Sequence, residues 1–205
     1  MSMKKIKKIL IGTHNKGKFR ELSYLLPKKL KKVSPQDYRI KSPKETGKSF
    51  LANSKLKANY FYKKSKIASI SDDSGLSVSC LDQRPGIYSS RWAKKYGGFK
   101  NTMKKIIKLV ENKNKNKNKK NKNTKAKFIC ALTIKLENGR ELSSIGKING
   151  NISKKIIGKN GFGYDPIFIP RNHEITFGQM RKRKKMMMDH RFLAFKNLRA
   201  KINFL

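Results

Sequence analysis

The stretch Ile9-Leu-Ile-Gly-Thr-His-Asn-Lys-Gly-Lys18 is the one around which the fold is organised. A short apolar run ends at Gly12, small, polar and basic residues follow, and a helical pattern sets in at Phe19. A strand, a tight turn and a helix start in that order aim backbone N–H groups and the positive end of a helix dipole at one spot. That arrangement suits a phosphate. Lys16 and Lys18 add positive charge beside it. Two readings follow: a pocket for a nucleotide or another phosphoester, or an ordinary strand-to-helix connection in a lysine-rich protein.

The chain has 205 residues, enough for one domain with a real core, and 37% of them are hydrophobic. Lys and Arg number 52 against 12 acidic residues, a net charge of +40. So much charge raises nucleic-acid binding as a rival function. The lysines, however, are spread along the whole chain among Asn and Ile, and all three residues share A/T-rich codons, so a coding bias accounts for them without a partner. No specific nucleic-acid partner is expected. Against this background each acid is informative. Cys80 and Cys130 lie far apart with no metal-ligand spacing. They read as buried thiols of a reducing compartment, with a disulfide between them as the alternative. The apolar run Ile9 to Ile11 is too short for a signal-peptide core, and no run approaches the ~18 residues of a membrane span. A cytoplasmic protein with no membrane partner is expected.

Along the chain, Ile6 to Ile11 reads as a strand and Phe19 to Leu30 as a helix weakened at its end by Pro27. Val33 to Pro43 reads as a loop with a short strand near Tyr38 to Ile40, and Ser49 to Lys63 as a helix. Ile67 to Ser71 reads as a strand ending in a turn at Asp72-Asp-Ser-Gly75, after which Leu76 to Cys80 resumes. Arg84 to Trp92 reads as a loop. Met103, Ile106, Ile107 and Val110 mark the core face of a helix. Asn112 to Lys125, almost pure Asn and Lys, reads as a disordered loop at 112–125 that buries nothing, inside a single domain spanning 1–205. Phe128 to Leu136 and Glu141 to about Ile152 form a hairpin around Asn138-Gly139. A glycine-rich loop, Gly158 to Pro170, follows. Thr176-Phe-Gly-Gln179 resembles a capping box that opens one long basic helix to the C-terminus. Helices alternating with strands, and then a hairpin, indicate an α/β or α+β fold with a mixed sheet.

Gly12 to Phe19 nearly matches the P-loop pattern, but Phe19 stands where a hydroxyl should hold magnesium, which disfavours a divergent P-loop NTPase or kinase. Asp72-Asp73 places two carboxylates side by side. They repel unless a cation is near, so they read either as hard ligands for a divalent metal with substrate phosphates or as a solvated β-turn. Glu45, isolated among basic residues, either caps the next helix or reaches the same metal. Gly161-Phe-Gly-Tyr-Asp-Pro166 offers aromatics to stack on a base, or is a rigid turn with Tyr164 as core filler. Lys185, His190 and Arg191 lie in the basic C-terminal region, where the ordinary reading is solvent-facing charge.

Taken together these pieces resemble the dITP/XTP (inosine triphosphate) pyrophosphatase family. The resemblance rests on Thr13-His-Asn15-Lys-Gly-Lys18, on Glu45-Thr46-Gly47 with Phe50, Asn53 and Lys57-Ala58, on Asp72 to Leu76, on Pro85 to Arg91, on Gly161 to Pro166, on Thr176-Phe177, and on Lys185 with His190-Arg191. It runs from about Ile9 to the last helix. Asp189 and Phe192 depart from the family's usual Ser and Gly around His-Arg, and Gly178 and Gln179 stand where an acid is common.

The resemblance implies an α/β fold, an elongated two-lobed domain around a mixed, twisted β-sheet with flanking helices and a central substrate cleft. It implies a homodimer and hydrolysis of non-standard purine nucleoside triphosphates with Mg2+, releasing pyrophosphate and the monophosphate. Thr13, His14, Asn15, Lys16, Gly17 and Lys18 would grip the triphosphate, and Ser74 would touch the nucleotide. Asp73 and Glu45 would hold the metal. Asp73 would also be catalytic, sharing with Asp72 the task of orienting and deprotonating water. Phe162, Gly163, Tyr164, Asp165, Lys185, His190 and Arg191 would receive the base.

Overall fold

The computed structural model describes residues 6–118 and 122–201. Strand β1 (Lys8–Ile11) is fully buried at Ile9, Leu10 and Ile11. Asn15 then caps helix α1 (Lys16–Leu25), which starts a turn earlier than the apolar pattern predicts and stops before Pro27. Next come β2 (Lys31–Val33), α2 (Phe50–Ser65), capped by the Ser49 hydroxyl, and β3 (Ser69–Val78). Helices α3 (Ser89–Lys95) and α4 (Phe99–Asn114) lead to β4 (Lys125–Lys135) and β5 (Glu141–Ile152), then β6 (Phe168–Pro170), α5 (Lys182–Met186) and α6 (His190–Arg199). The strands form one sheet in the order β2-β1-β3-β4-β5-β6. β1 runs parallel to β2 and β3, while β5 and β6 are antiparallel, so the sheet is mixed as expected.

The described residues divide into two compact units: one from 6–73, 130–146 and 190–201, the other from 74–118, 122–129 and 147–189. In the first, the alternation of strand side chains builds a core on each sheet face. Ile9, Ile11 and Ile70, with Cys130, Leu132 and Ile134, pack under Leu22 of α1, Leu26 just past its end, and Ala194, Phe195 and Leu198 of α6. Leu10 faces the other way, against Phe61 of α2, Val33 and Ile67. Gly12 continues that second face and has no room for a side chain. A Cβ there would lie 2.1 Å from Ser71 Oγ and 2.4 Å from Phe61 Cδ2. Gly12→Ala is therefore expected to cost about 1–3 kcal/mol by overpacking, read from urea denaturation; an unchanged midpoint would show that α2 yields freely. In the second unit, Leu76 and Val78 of β3 pack with Met103, Ile106 and Val110 of α4 and with Phe128, Phe168 and Phe177.

Several expectations are corrected. Asp72-Asp-Ser-Gly75 is no turn but the middle of β3, with Asp72 fully buried and Asp73 nearly so. The polar run hides a strand because its carboxylates are matched by cations on both faces rather than by water. The long C-terminal helix is two helices. Thr176 does receive the side chain of Gln179 on its N–H, but its own hydroxyl donates to the Ile157 carbonyl, so no helix starts until Lys182. The Arg84 to Trp92 loop contains a cis Arg84–Pro85 bond and the start of α3. The short strand near Tyr38 is a 3-10 turn at Gln36–Tyr38, and the strand lies earlier, at β2. The Asn/Lys stretch is not wholly solvated. Asn114 ends α4 buried, donates to the Val110 and Asn123 carbonyls and accepts the Asn123 N–H. Residues 119–121 of that stretch, and 202–205 of the expected C-terminal helix, lie outside the described residues. Both cysteines are free thiols, Cys130 buried and Cys80 half-buried.

Candidate active site

In the first unit the turn after β1 is pinned by its own side chains. Asn15 Oδ1 accepts the N–H groups of Gly17 (2.9 Å) and Lys18 (3.0 Å), and the Asn15 N–H donates to Thr13 Oγ1 at 3.2 Å. Two amides that a P-loop would offer to phosphate are thus engaged by the cap, which argues against that class. His14 Nδ1 pairs with the Ser42 hydroxyl at 2.7 Å, and Lys16 is exposed. Lys18 turns to β3, with its Nζ 3.2 Å from Asp72 Oδ2.

Strand alternation sends Asp72 and Asp73 to opposite faces. Asp72 shares the face of Ile70, toward α1 and α6. It accepts from Arg191 Nη2 at 3.0 Å, and Arg191 pairs through Nη1 with Glu21. The Cys130 thiol lies 4.0 Å from the same carboxylate oxygen. Burial alone would raise the Asp72 pKa, but Lys18, Arg191 and Lys57 outweigh it and hold the carboxyl well below the usual carboxylate range.

Asp73 shares the face of Ser71, toward α2. Asn53 Nδ2 donates to Asp73 Oδ2 at 3.0 Å, and Asn53 Oδ1 accepts the Gly47 N–H at 2.8 Å, so one amide fastens the Glu45 loop to the strand. Lys57 Nζ lies 2.7 Å from Glu45 Oε1 and 3.9 Å from Asp73 Oδ1. Burial pushes the Asp73 carboxyl up, and the Glu45 charge adds to it. Lys57 and Lys18 pull it down without overcoming the burial. Glu45 comes out lowered, since Lys57 outweighs its burial. Lys57 itself, despite burial, is raised by Asp73, Asp72 and Glu45 and stays charged. Among the described residues no group of three or more His, Cys, Asp or Glu side chains converges as a metal cage. What Glu45 and Asp73 offer is a pair of hard oxygen ligands, which fits a cation that takes its remaining ligands from phosphate and water.

The second unit holds a separate cluster. Gly161 and Gly163, both at positive φ, shape a turn in which Asp165 Oδ2 accepts the Phe162 N–H at 2.8 Å. Lys185 is almost fully buried, with its Nζ 2.9 Å from Asp165 Oδ2 and 3.5 Å from Asp189 Oδ2. The ammonium stands 4.9 Å from the centre of the Phe162 ring and 5.7 Å from that of Phe177. Tyr164 belongs to the core, where its hydroxyl donates to the Ser89 carbonyl at 2.8 Å and burial raises its pKa. Ser74 is half-buried on β3.

The structure thus brings Lys18, Asp72 and Arg191 into one charge cluster and Glu45, Asp73 and Lys57 into another. It gathers Phe162, Asp165 and Lys185 in a third. His190 and Arg191, grouped with Lys185 by sequence, are buried at the start of α6 in the first unit. Asp72, expected beside Asp73, carries much of this geometry together with Glu21, Asn53 and Lys57, to which the sequence reading gave no role in the site. The signals were slight: Asn53 and Lys57 are four apart on one helix face, and Glu21 is three residues after Lys18.

The Ham1 family matches residues 9–201 of the chain. A dITP/XTP pyrophosphatase of Caulobacter vibrioides is 37% identical over 193 residues, covering 94% of this chain and 96% of that protein. One of Zymomonas mobilis is 36% identical over 194 residues, covering 94% and 90%. Among solved structures, a HAM1 protein from Coxiella burnetii superposes with a TM-score of 0.83 at 29% identity, over 96% of this chain and 98% of that one. The Staphylococcus aureus Ham1 protein superposes with a TM-score of 0.77 at 30% identity, over 95% and 97%.

Proposed function

The chain belongs to the Ham1 family, and on that premise we propose that it hydrolyses non-standard purine nucleoside triphosphates such as dITP and XTP to the monophosphate and pyrophosphate. The observation that carries this is the Asp72-Asp73 pair in β3, with one carboxylate set among cations and the other beside Glu45. The whole chain acts as one catalytic domain, in the cytoplasm and as a homodimer, in accord with the family resemblance; two free cysteines fit a reducing compartment.

Glu45 and Asp73 would hold Mg2+, which when bound neutralises phosphate charge and makes a water more acidic. Asp73 orients the attacking water and takes its proton, a task suited by a carboxyl whose pKa burial has raised. Lys18 supplies positive charge to the triphosphate and is aimed by Asp72. The Asn15 cap fixes the turn that carries Lys18, with Thr13, His14, Lys16 and Gly17 forming the rest of the grip and Ser74 touching the nucleotide. The base falls to Phe162, Gly163 and Asp165 with Lys185, while Tyr164 fills the core of the same unit and Arg191, next to the buried His190, is engaged by Asp72 and Glu21. Lys185 is a pure donor. It suits the 6-oxo group of hypoxanthine or xanthine and meets another donor in the 6-amino group of adenine.

A nucleotide panel with magnesium tests this. Pyrophosphate is expected from dITP or XTP, with dATP slower by up to about 10⁴-fold. Release of orthophosphate in its place, or no product from any nucleotide, would overturn the assignment.

A further inference from the structure

The carboxylates of Glu45 and Asp73 already hold a cation, and it belongs to the chain. Asn53 and Lys57, four residues apart on α2, both reach Asp73, and each also reaches the segment that carries Glu45. Asn53 ties the Gly47 amide to Asp73, and Lys57 places its ammonium 2.7 Å from Glu45 and 3.9 Å from Asp73. The Lys57 side chain is only 10% exposed, so carboxylate oxygens do for its charge what water would do at the surface. No part of the hydrolysis outlined above uses this lysine.

We propose that Lys57 is an internal counter-cation that keeps the Glu45–Asp73 pair together in the metal-free protein and competes with a divalent metal for it. The inference rests on reading that pair as the metal site. A divalent ion on the same oxygens repels the ammonium, so one must withdraw as the other binds. Held in this way, the two carboxylates do not push apart before the metal arrives, and the loop carrying Glu45 stays in register with β3. The cost is weak affinity for the free ion. An ammonium released from Glu45 finds a new partner in a polyphosphate, so ion and substrate each favour the other's binding.

Mn2+ binding in the absence of nucleotide, followed by electron paramagnetic resonance, tests this on the full chain. Lys57→Met is expected to bind Mn2+ at least about tenfold more tightly than the wild type. Its metal-free form should melt lower and gain more in Tm from Mn2+. A purely structural lysine would lower Tm without tightening the metal. Should Lys57→Met fail to fold, the wild type still answers. Acylation of Lys57 by acetic anhydride, mapped by mass spectrometry, should rise several-fold on Mn2+ saturation as the ammonium leaves Glu45. Equal or weaker Mn2+ affinity in the variant, or acylation indifferent to Mn2+, overturns the inference alone. No Mn2+ bound by either protein overturns the metal-site reading and the inference with it, while the nucleotide panel still judges the proposed hydrolysis.

Discussion

Asp72→Asn is expected to remove about 3–5 kcal/mol of stability at neutral pH, read as a shift in the urea midpoint at constant slope. The amide preserves the shape of the side chain and removes its charge. That leaves Lys18 and Arg191, which lie 3.2 Å and 3.0 Å from one carboxylate oxygen, without the anion they share. Arg191 is 1% exposed, so water cannot replace the lost partner. The pH dependence has a definite sign. Burial acts to raise the Asp72 pKa, but the surrounding cations hold it far below its unfolded value of about 3.9. Its stabilisation is therefore complete above about pH 4 and is lost as the pH falls below that. Wild-type protein should lose stability over this range more steeply than the variant. Parallel profiles, or a loss under about 1 kcal/mol at pH 7, would show that the buried charges are matched by other means.

One residue further on, the same substitution should do the reverse. Asp73→Asn is expected to lower kcat by about 10²–10⁴-fold, the worth of a positioned general base, with Tm unchanged or raised. Burial raises the folded pKa of Asp73, so at neutral pH its charge opposes folding, and an amide removes that opposition. The bond from Asn53 survives, because an amide oxygen accepts as a carboxylate does. Turnover within tenfold of wild type would take Asp73 out of the chemistry. Neighbouring carboxylates with opposite effects on stability follow from the two-residue period of a strand, which gives them different faces and different cations.

Much of this was legible in the chain. The motif order from Thr13 to Arg191 pointed to the family, and the apolar run Ile9 to Ile11 with the periodicity of α4 marked the core. The illegible parts share one cause. Local patterns assume that a polar run is solvated, whereas Ser71 to Ser74 stay within a strand because partners distant in sequence match their charge. Lys57 belonged to a motif but carried no role in it, and it is among the few lysines that are buried. Arg191 looked like a base contact and lies against Asp72 and Glu21, separations of 119 and 170 residues that no local window spans.

The sequence by itself determined the strand, turn and helix start along Ile9 to Lys18, the hairpin at Asn138-Gly139 and the set of motifs, because each depends on residues within a few positions of one another. Only the tertiary structure decided that Asp72 and Asp73 face opposite ways within a continuous β3, and which lysine or arginine answers each of them. A buried charge is settled by whichever partner the fold carries to within about 4 Å of it, and among 52 basic residues composition cannot say which that will be.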